Sequence, residues 1–315
     1  MSKPSVLANK NLELVTGRVL TSSELKTFQR CKRKWWLGDV RKLRKKTYEG
    51  SAPLTIGTLV HSGLEAFYRP TDITPPVTAV HNKAQRMIER YPDAAGEILE
   101  AADLAKIMLD GYLDWIEEEG ADADLEVYAA EEKVEVPVGP FTLRGKMDAR
   151  AVRRSDNTRV QIENKSVGNL ADVPKTAQMN PQFLTYDLLS VLSKGVGERT
   201  DGIILNMLRK VKRSKSAKPP FYGRHEVRHN LDELRNHYRH IVGLGHEMER
   251  IEGLLGQGWL HHSVVPPSPT RDCSWDCKFY EVCPLFDDGS DVEGMLTAGF
   301  EEYDPLERYE DEEEI

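Results

Sequence analysis

Three strand-like segments follow one another between residues 125 and 165, and they constrain the fold more than any other feature of the sequence. Residues 125–138 and 141–153 are predicted to pair, and Ser155-Asp156-Asn157 supplies the turn into a third strand over residues 159–165. Helical patterns precede these strands over residues 57–68, 77–91 and 95–119. Further helices are predicted over residues 176–193 and 231–255, and strands over 202–208 and 222–227.

Two acidic residues and a lysine fall on neighbouring strands of this set. Side chains two positions apart share one face of a strand, so Glu163 and Lys165 point the same way and Asp148 can stand beside Glu163. Two converging carboxylates form a hard-oxygen site suited to Mg²⁺ or Mn²⁺, and a nearby lysine can orient or deprotonate a water. The same residues also fit an exposed sheet face with an ordinary ion pair.

Three more residues join this pattern by their spacing. His61 follows Gly57 on a predicted helix, where its imidazole can complete a two-carboxylate metal site, although a lone histidine is more often a packed or solvated residue. Gln182 and Tyr186 are four residues apart, so they share one face of a helix. An amide and a phenol ring there suit contacts with a nucleic-acid backbone or with stacked bases.

The four cysteines are not scattered along the chain. Cys273, Cys277 and Cys283 lie within eleven residues, and Cys31 stands alone more than two hundred residues earlier. Clustered thiols in a reducing compartment indicate a metal more often than disulfides, and four thiolates suit Zn²⁺ or an iron–sulfur cluster. Zinc sites usually consist of two close pairs, so the arrangement of one plus three is unusual for zinc.

The charge of the whole chain conceals two basic segments. The net charge is −8, but residues 287–315 hold thirteen acidic residues and one basic residue, which leaves +4 for the rest. Lysines and arginines concentrate in residues 26–46 and 209–218, a pattern that fits either solvated surface or a track for phosphates. The sequence has no apolar run that could span a bilayer and no secretion signal at its start, which predicts a cytoplasmic protein.

Taken together, these residues resemble the RecB-like branch of the PD-(D/E)XK nuclease superfamily, and most closely its iron–sulfur members. Those members include the CRISPR-associated RecB-like exonucleases, the nuclease domain of AddB and related phage exonucleases. The resemblance runs from Ser22 to Cys283 with the motifs in the family's order. These motifs are the first cysteine helix with Cys31, GxxxH at Gly57–His61, GxxD ending at Asp148, ExK at Glu163–Lys165, QxxxY at Gln182–Tyr186, and the closing Cys273, Cys277 and Cys283. Asn164 replaces an apolar residue inside the ExK motif, and the Cys273–Cys277 spacing is one residue longer than is common.

The resemblance implies an α/β fold with a restriction-endonuclease-like core, in which a central mixed sheet is flanked by helices. Residues 1–286 are expected to form a single nuclease domain with a helical portion over residues 57–119. A four-cysteine cluster is expected to join its N- and C-terminal ends. Residues 287–315 are expected to form an acidic, flexible tail.

The resemblance also implies a function. It is that of a metal-dependent DNA exonuclease acting on single-stranded or resected ends, with 5′→3′ digestion favoured, in recombination, repair or phage DNA metabolism. The implied catalytic residues are Asp148, Glu163 and Lys165, and the implied ligands of Mg²⁺ or Mn²⁺ are His61, Asp148 and Glu163. The implied DNA-binding residues are Gln182 and Tyr186. The implied ligands of a [4Fe-4S] cluster are Cys31, Cys273, Cys277 and Cys283. The implied partners are DNA and a recombination or annealing protein, in the cytoplasm of a bacterium or of a phage's host.

Two other functions fit the same residues. A non-catalytic nucleic-acid or partner-binding module would keep the fold and the cysteine metal, although the intact acidic pair and lysine argue against it. A nuclease acting on RNA would differ in substrate alone. The sequence has no Walker loop, because the only Gly-Lys pair, Gly145-Lys146, is followed by Met147, so an NTP-driven helicase is not indicated.

Overall fold

The computed structural model describes residues 17–48, 52–69, 71, 73–195 and 200–309. Expectations that concern residues 1–16 and 310–315 lie outside the described residues. The chain divides into two compact units. The described residues of the first unit fall within 52–136 and 145–235, and those of the second within 17–48, 137–144 and 236–309.

Groups of helices and groups of strands follow one another along the described residues. The helices are α1 (Ser22–Arg30), α2 (Lys32–Trp35), α3 (Ala52–Tyr68), α4 (Pro76–Arg90), α5 (Ala95–Glu119), α6 (Asp172–Ala177), α7 (Pro181–Lys194), α8 (Leu231–Gly256), α9 (His261–Val264), α10 (Cys273–Asp276) and α11 (Val292–Gly299). The strands are β1 (Val19–Thr21), β2 (Leu43–Lys45), β3 (Leu125–Val138), β4 (Phe141–Arg153), β5 (Arg159–Val167), β6 (Gly202–Arg209), β7 (Tyr222–Val227) and β8 (Phe300–Glu302). No helix among the described residues is both long enough and apolar enough to cross a membrane.

The first unit is built on a mixed sheet. Its strands lie in the order β4-β5-β6-β7, and β3 also pairs with β4. β5 is antiparallel to β4 and parallel to β6, and β7 is antiparallel to β6. The predicted α/β fold with a central mixed sheet flanked by helices is confirmed.

The alternation of β6 explains how helices cover both faces of this sheet. Ile203 and Leu205 pack with Phe183 of α7 in one apolar cluster. Asn206, the residue after Leu205, points to the other face, where it donates to the Tyr68 hydroxyl of α3. Every residue from Gly202 to Leu208 is buried, as expected for a strand enclosed between two layers of helices. This enclosed strand pairs with β5, which carries Glu163 and Lys165.

Helix α1 of the second unit has a side-chain cap at its N-terminus. The Thr21 side chain caps α1 by accepting a hydrogen bond from the backbone N–H of Glu24, at 3.2 Å. The Glu24 carboxylate accepts a hydrogen bond from the indole of the buried Trp35 at 3.1 Å. In this unit β1 also pairs in parallel with residues 142–144.

The acidic C-terminal segment contains regular structure between residues 287 and 309. α11 is followed by β8, which pairs antiparallel with β2. Leu296 and Phe300 are buried in an apolar cluster with Leu37 and Phe279. These apolar side chains anchor the segment, a contribution that a count of its charges does not register.

Candidate active site

The sheet of the first unit opens at the point where two carboxylates face each other. Pairing between β4 and β5 runs from Val152–Arg159 to Ala149–Ile162, and Asp148 and Glu163 are the next residue on each strand. Asp148 Oδ2 accepts a hydrogen bond from the backbone N–H of Asn164 at 2.7 Å. Both carboxylates are largely withdrawn from solvent, with side-chain exposures of 12% for Asp148 and 3% for Glu163.

Helix α3 brings His61 to this pair. Its Nδ1 lies 3.4 Å from Asp148 Oδ2, and its side chain keeps 35% exposure. Gly57, one turn earlier, faces β5 so closely that an added Cβ would lie 3.3 Å from the Ser166 hydroxyl. The glycine of the GxxxH pattern therefore lets α3 approach the strand that carries Glu163.

Lys165 and Gln182 hold Glu163 from one side. Lys165 Nζ donates to Glu163 Oε1 at 2.6 Å and to Gln182 Oε1 at 3.0 Å. The Gln182 amide nitrogen donates to Glu163 Oε1 at 3.0 Å and also contacts the Tyr186 hydroxyl at 2.9 Å. The structure thus brings Gln182 and Tyr186 into the same hydrogen-bonded group as the acidic pair.

The charged side chains at this site change one another's pKa values. Burial lowers the pKa of His61, but the adjacent Asp148 carboxylate outweighs it and raises that pKa to about 9. Burial, followed by repulsion from Asp148, raises the pKa of Glu163 to about 7. Burial likewise lowers the pKa of Lys165, yet Glu163 and Asp148 hold it above its usual value. At neutral pH both His61 and Lys165 are therefore cationic in the metal-free protein.

One acidic residue at the site was missed by sequence reasoning. Ligand atoms of His61, Glu131 and Asp148 all lie within 4.8 Å of one another. Glu131 belongs to β3, and its carboxylate pairs with Lys146 at 2.8 Å. Burial, and then repulsion from Asp148, raises the pKa of Glu131 to about 7. The adjacent Glu132 is also acidic, so the sequence does not indicate which of the two carboxylates faces the site.

Asn164, the departure inside the ExK pattern, has a structural explanation. It is buried on the opposite face of β5 from Glu163, and its side-chain oxygen accepts from Asn206 at 3.1 Å. Asn206 also donates to the Tyr68 hydroxyl at 3.1 Å and accepts from Arg224 at 2.7 Å. A polar residue is tolerated there because other buried polar groups satisfy its hydrogen bonds.

In the second unit, the structure brings the four predicted cysteines near one another. All four are free thiols of intermediate exposure. Burial raises the pKa of Cys277, and the neighbouring thiols of Cys31 and Cys273 raise it further. Burial similarly raises the pKa of Cys283, with a further increase from Cys31 and Cys277. Four thiols grouped in this way are the soft donor set that zinc and iron–sulfur groups require.

Two basic residues of α2 accompany these thiols. The Arg33 guanidinium lies 4.0 Å from Cys283 Sγ and donates to the Cys283 carbonyl at 3.2 Å. Lys34 donates to the carbonyl of Asp276 at 3.0 Å, and its charge favours the thiolate of Cys277. Cations placed beside thiols stabilise the deprotonated form that binds metal.

Comparison with known proteins gives one family. A family model for the PD-(D/E)XK nuclease superfamily matches residues 19–284, a range that contains every site residue described above. Among solved structures, 14 chains match. The crystal structure of SSO0001 is 16% identical over 73% of this chain and 84% of that one, with a TM-score of 0.31. A search of the curated proteins finds no match.

Proposed function

Because this chain belongs to the PD-(D/E)XK nuclease superfamily, we propose that it is a metal-dependent exonuclease that hydrolyses phosphodiester bonds at single-stranded or resected DNA ends. The observation that carries the proposal is the convergence of Asp148, Glu163 and Lys165 where β4 and β5 open. The proposed direction of digestion is 5′→3′. The proposed setting is recombination, repair or phage DNA metabolism, alongside a recombination or annealing protein.

The donor set fits a hard divalent cation. His61, Asp148 and Glu163 would hold Mg²⁺ or Mn²⁺, since carboxylate oxygens with an imidazole are ligands that these ions accept. When bound, the ion supplies charge stabilisation at the phosphoryl oxygen and lowers the pKa of a bound water. The backbone N–H of Asn164 fixes the orientation of the Asp148 carboxylate toward the site.

Lys165 is proposed to position the attacking water and to offset negative charge on the phosphate. Its ammonium is held 2.6 Å from Glu163 and 3.0 Å from Gln182, so it has little freedom to turn away. Because its pKa lies above the usual value, it acts as a cationic donor and not as a base in the metal-free protein.

Gln182 and Tyr186 are proposed to contact the DNA strand next to the scissile bond. Both lie on the first turns of α7, with their side chains joined at 2.9 Å. Since Gln182 also binds Glu163 and Lys165, it links strand binding to the position of the catalytic groups.

Cys31, Cys273, Cys277 and Cys283 are proposed to bind a [4Fe-4S] cluster. Cys31 and Cys273 raise the pKa of Cys277, and Cys31 and Cys277 raise that of Cys283, so the four cysteines lie close enough to one another to act as one donor set. The arrangement of one cysteine plus three along the chain is unusual for zinc and supports the iron–sulfur cluster.

The nuclease proposal is tested with linear single-stranded DNA labelled at either end, in Mg²⁺ or Mn²⁺, beside Lys165→Ala and a chelator. We expect digestion that requires the metal and falls at least about a hundredfold in Lys165→Ala, because general catalytic groups contribute on that order. Lys175→Ala is a matched control, since Lys175 is an exposed lysine paired with Asp172.

The other outcomes of this assay identify the rival functions. DNA binding without cleavage in either metal, unchanged by Lys165→Ala, would contradict the nuclease proposal and indicate a binding module. Cleavage of a labelled RNA of the same sequence in preference to DNA would contradict the choice of substrate. Label released from the 3′ end first would contradict the proposed direction.

The cluster proposal is tested by purification without oxygen followed by metal and sulfide analysis. We expect a brown protein with about four irons and four sulfides per chain, and loss of the colour in Cys277→Ser. Stoichiometric zinc in a colourless protein would overturn the assignment.

A further inference from the structure

We propose that Glu131 is a ligand of the divalent cation, forming with His61 and Asp148 a group of three donors. This inference rests on the metal-dependent function proposed above. It adds a residue that the sequence motifs do not include. It also makes Asp148 a donor shared between this group and the pair that it forms with Glu163.

The backbone of β3 turns Glu131 toward the site. The buried residues of β3 change parity along the strand, from Leu125 near its start to Val134, Val136 and Val138 near its end. A β-bulge produces a change of this kind, because it inserts one extra residue into a strand. Glu131 lies in that interval with φ of 51°, a left-handed conformation uncommon for a residue other than glycine.

The spacing of the donor atoms fits one shared cation. Ligands about 2.1 Å from the same ion lie at most about 4.2 Å apart. The ligand atoms of His61, Glu131 and Asp148 are within 4.8 Å of one another, so small side-chain movements bring them into range. Glu163 is not one of these three residues, and its Oε1 accepts hydrogen bonds from Lys165 and Gln182.

Lys146 is the counter-ion of Glu131. Its ammonium lies 2.8 Å from Glu131 Oε2, and the Glu131 side chain retains only 12% exposure. An ionised carboxylate withdrawn from solvent is stabilised by a nearby cation, and either the lysine or a bound metal can supply one. The ion pair therefore competes with metal binding at the same oxygen atoms.

This competition allows an experiment to distinguish a metal ligand from a residue that only forms an ion pair. Glu131→Gln and Lys146→Met both abolish the same ion pair. If the pair were only structural, the two variants would behave alike. If Glu131 is a ligand, Glu131→Gln weakens Mn²⁺ binding while Lys146→Met preserves or strengthens it.

The experiment measures Mn²⁺ binding to the full chain by electron paramagnetic resonance of the free ion, with no substrate present. We expect Glu131→Gln to weaken Mn²⁺ binding at least about tenfold, and Lys146→Met to bind at least as tightly as the unmodified chain. Glu126→Gln is the matched control on β3, because Glu126 is 70% exposed and its change should leave binding unaltered. Circular dichroism of each variant checks that the fold is retained.

Two results overturn the inference and are distinguishable from failure of the proposed function. If Asp148→Asn abolishes Mn²⁺ binding while Glu131→Gln binds as the unmodified chain does, Glu131 is not a ligand although the metal site stands. Equal weakening in folded Glu131→Gln and Lys146→Met assigns Glu131 to the ion pair alone. If the unmodified chain binds no Mn²⁺, both the inference and the proposed function fail.

Discussion

At the scale of single residues, the candidate site holds ionisable groups so close together that protons and a metal ion compete for the same atoms. His61 has a pKa of about 9 because Asp148 stabilises its protonated form, and Glu163 has a pKa of about 7 because it is buried beside the same carboxylate. A metal ligand must be deprotonated, so binding of a cation displaces these protons.

The resulting prediction concerns the pH dependence of Mn²⁺ binding. Both groups are protonated below their pKa values, so affinity should rise with pH between 6 and 9, by about tenfold per unit for each proton displaced. Titration calorimetry at pH 8 in two buffers of different ionisation enthalpy should show release of nearly one proton, because His61 is still largely protonated there.

His61→Asn is the control for that release. It should lose the proton released at pH 8 while keeping residual Mn²⁺ binding through Asp148 and Glu163. An affinity that is constant from pH 6 to 9, or the same proton release in His61→Asn, would refute the role of His61 as a ligand.

At the scale of elements, the position of α7 depends on how closely it approaches β4. A Cβ added at Gly145 would lie 2.3 Å from Leu189 Cδ1 of α7. Since α7 carries Gln182 and Tyr186, this glycine sets the distance between the helix and the acidic pair. The glycine of the GxxD pattern is thus explained by packing.

We predict that Gly145→Ala destabilises the protein by about 1–3 kcal/mol, because the added methyl overpacks the contact with Leu189. Urea unfolding measures the loss. Gly168→Ala is the matched control, since an added Cβ there meets nothing within 4 Å, and it should change stability by no more than about 0.5 kcal/mol.

A double variant tests whether the clash is the cause. Leu189→Ala alone should cost about 2–5 kcal/mol through the cavity it leaves. Combined with Gly145→Ala, the total should be clearly less than the sum of the two single effects, because the new methyl fills part of that cavity. Strict additivity would show that Gly145 acts in some other way.

The elements also show which parts of the fold the sequence could predict. β3, β4 and β7 have the predicted bounds, because the alternation of side chains is carried by the sequence itself. The single helix predicted over residues 176–193 is wrong, since the structure has α6 and α7 there. Pro181 begins α7, and the Asn180 side chain caps it by accepting from the Gln182 N–H at 3.0 Å.

The residues of the candidate site also differ in whether the sequence could predict them. Asp148, Glu163 and Lys165 could be placed from alternation within β5 and the turn before it. Glu131 could not, because a one-residue shift within β3 reverses which side chains face inward and no residue type marks that shift.

At the scale of the whole molecule, charges far apart in sequence meet within the second unit. Arg33 pairs with Asp287 at 2.7 Å, Arg41 pairs with Glu293 at 2.7 Å, and Arg44 contacts Glu301 at 2.8 Å. The first basic segment and the acidic C-terminal segment therefore neutralise each other in part. The charge count along the chain left open whether the basic segment is solvated surface or a track for phosphates, because it does not record such pairing.

The paired amides of Asn164 and Asn206 have a consequence for how this chain can change over generations. Asn206 keeps Tyr68 and Arg224 as partners if Asn164 alone becomes apolar. If Asn206 alone becomes apolar, the Asn164 side-chain oxygen loses its hydrogen-bond donor and Arg224 loses an acceptor. A buried polar group without its partner costs about 1–3 kcal/mol. Descendant sequences should therefore lose Asn164 first and Asn206 second, so that an apolar residue at 206 beside an asparagine at 164 is the combination selection disfavours.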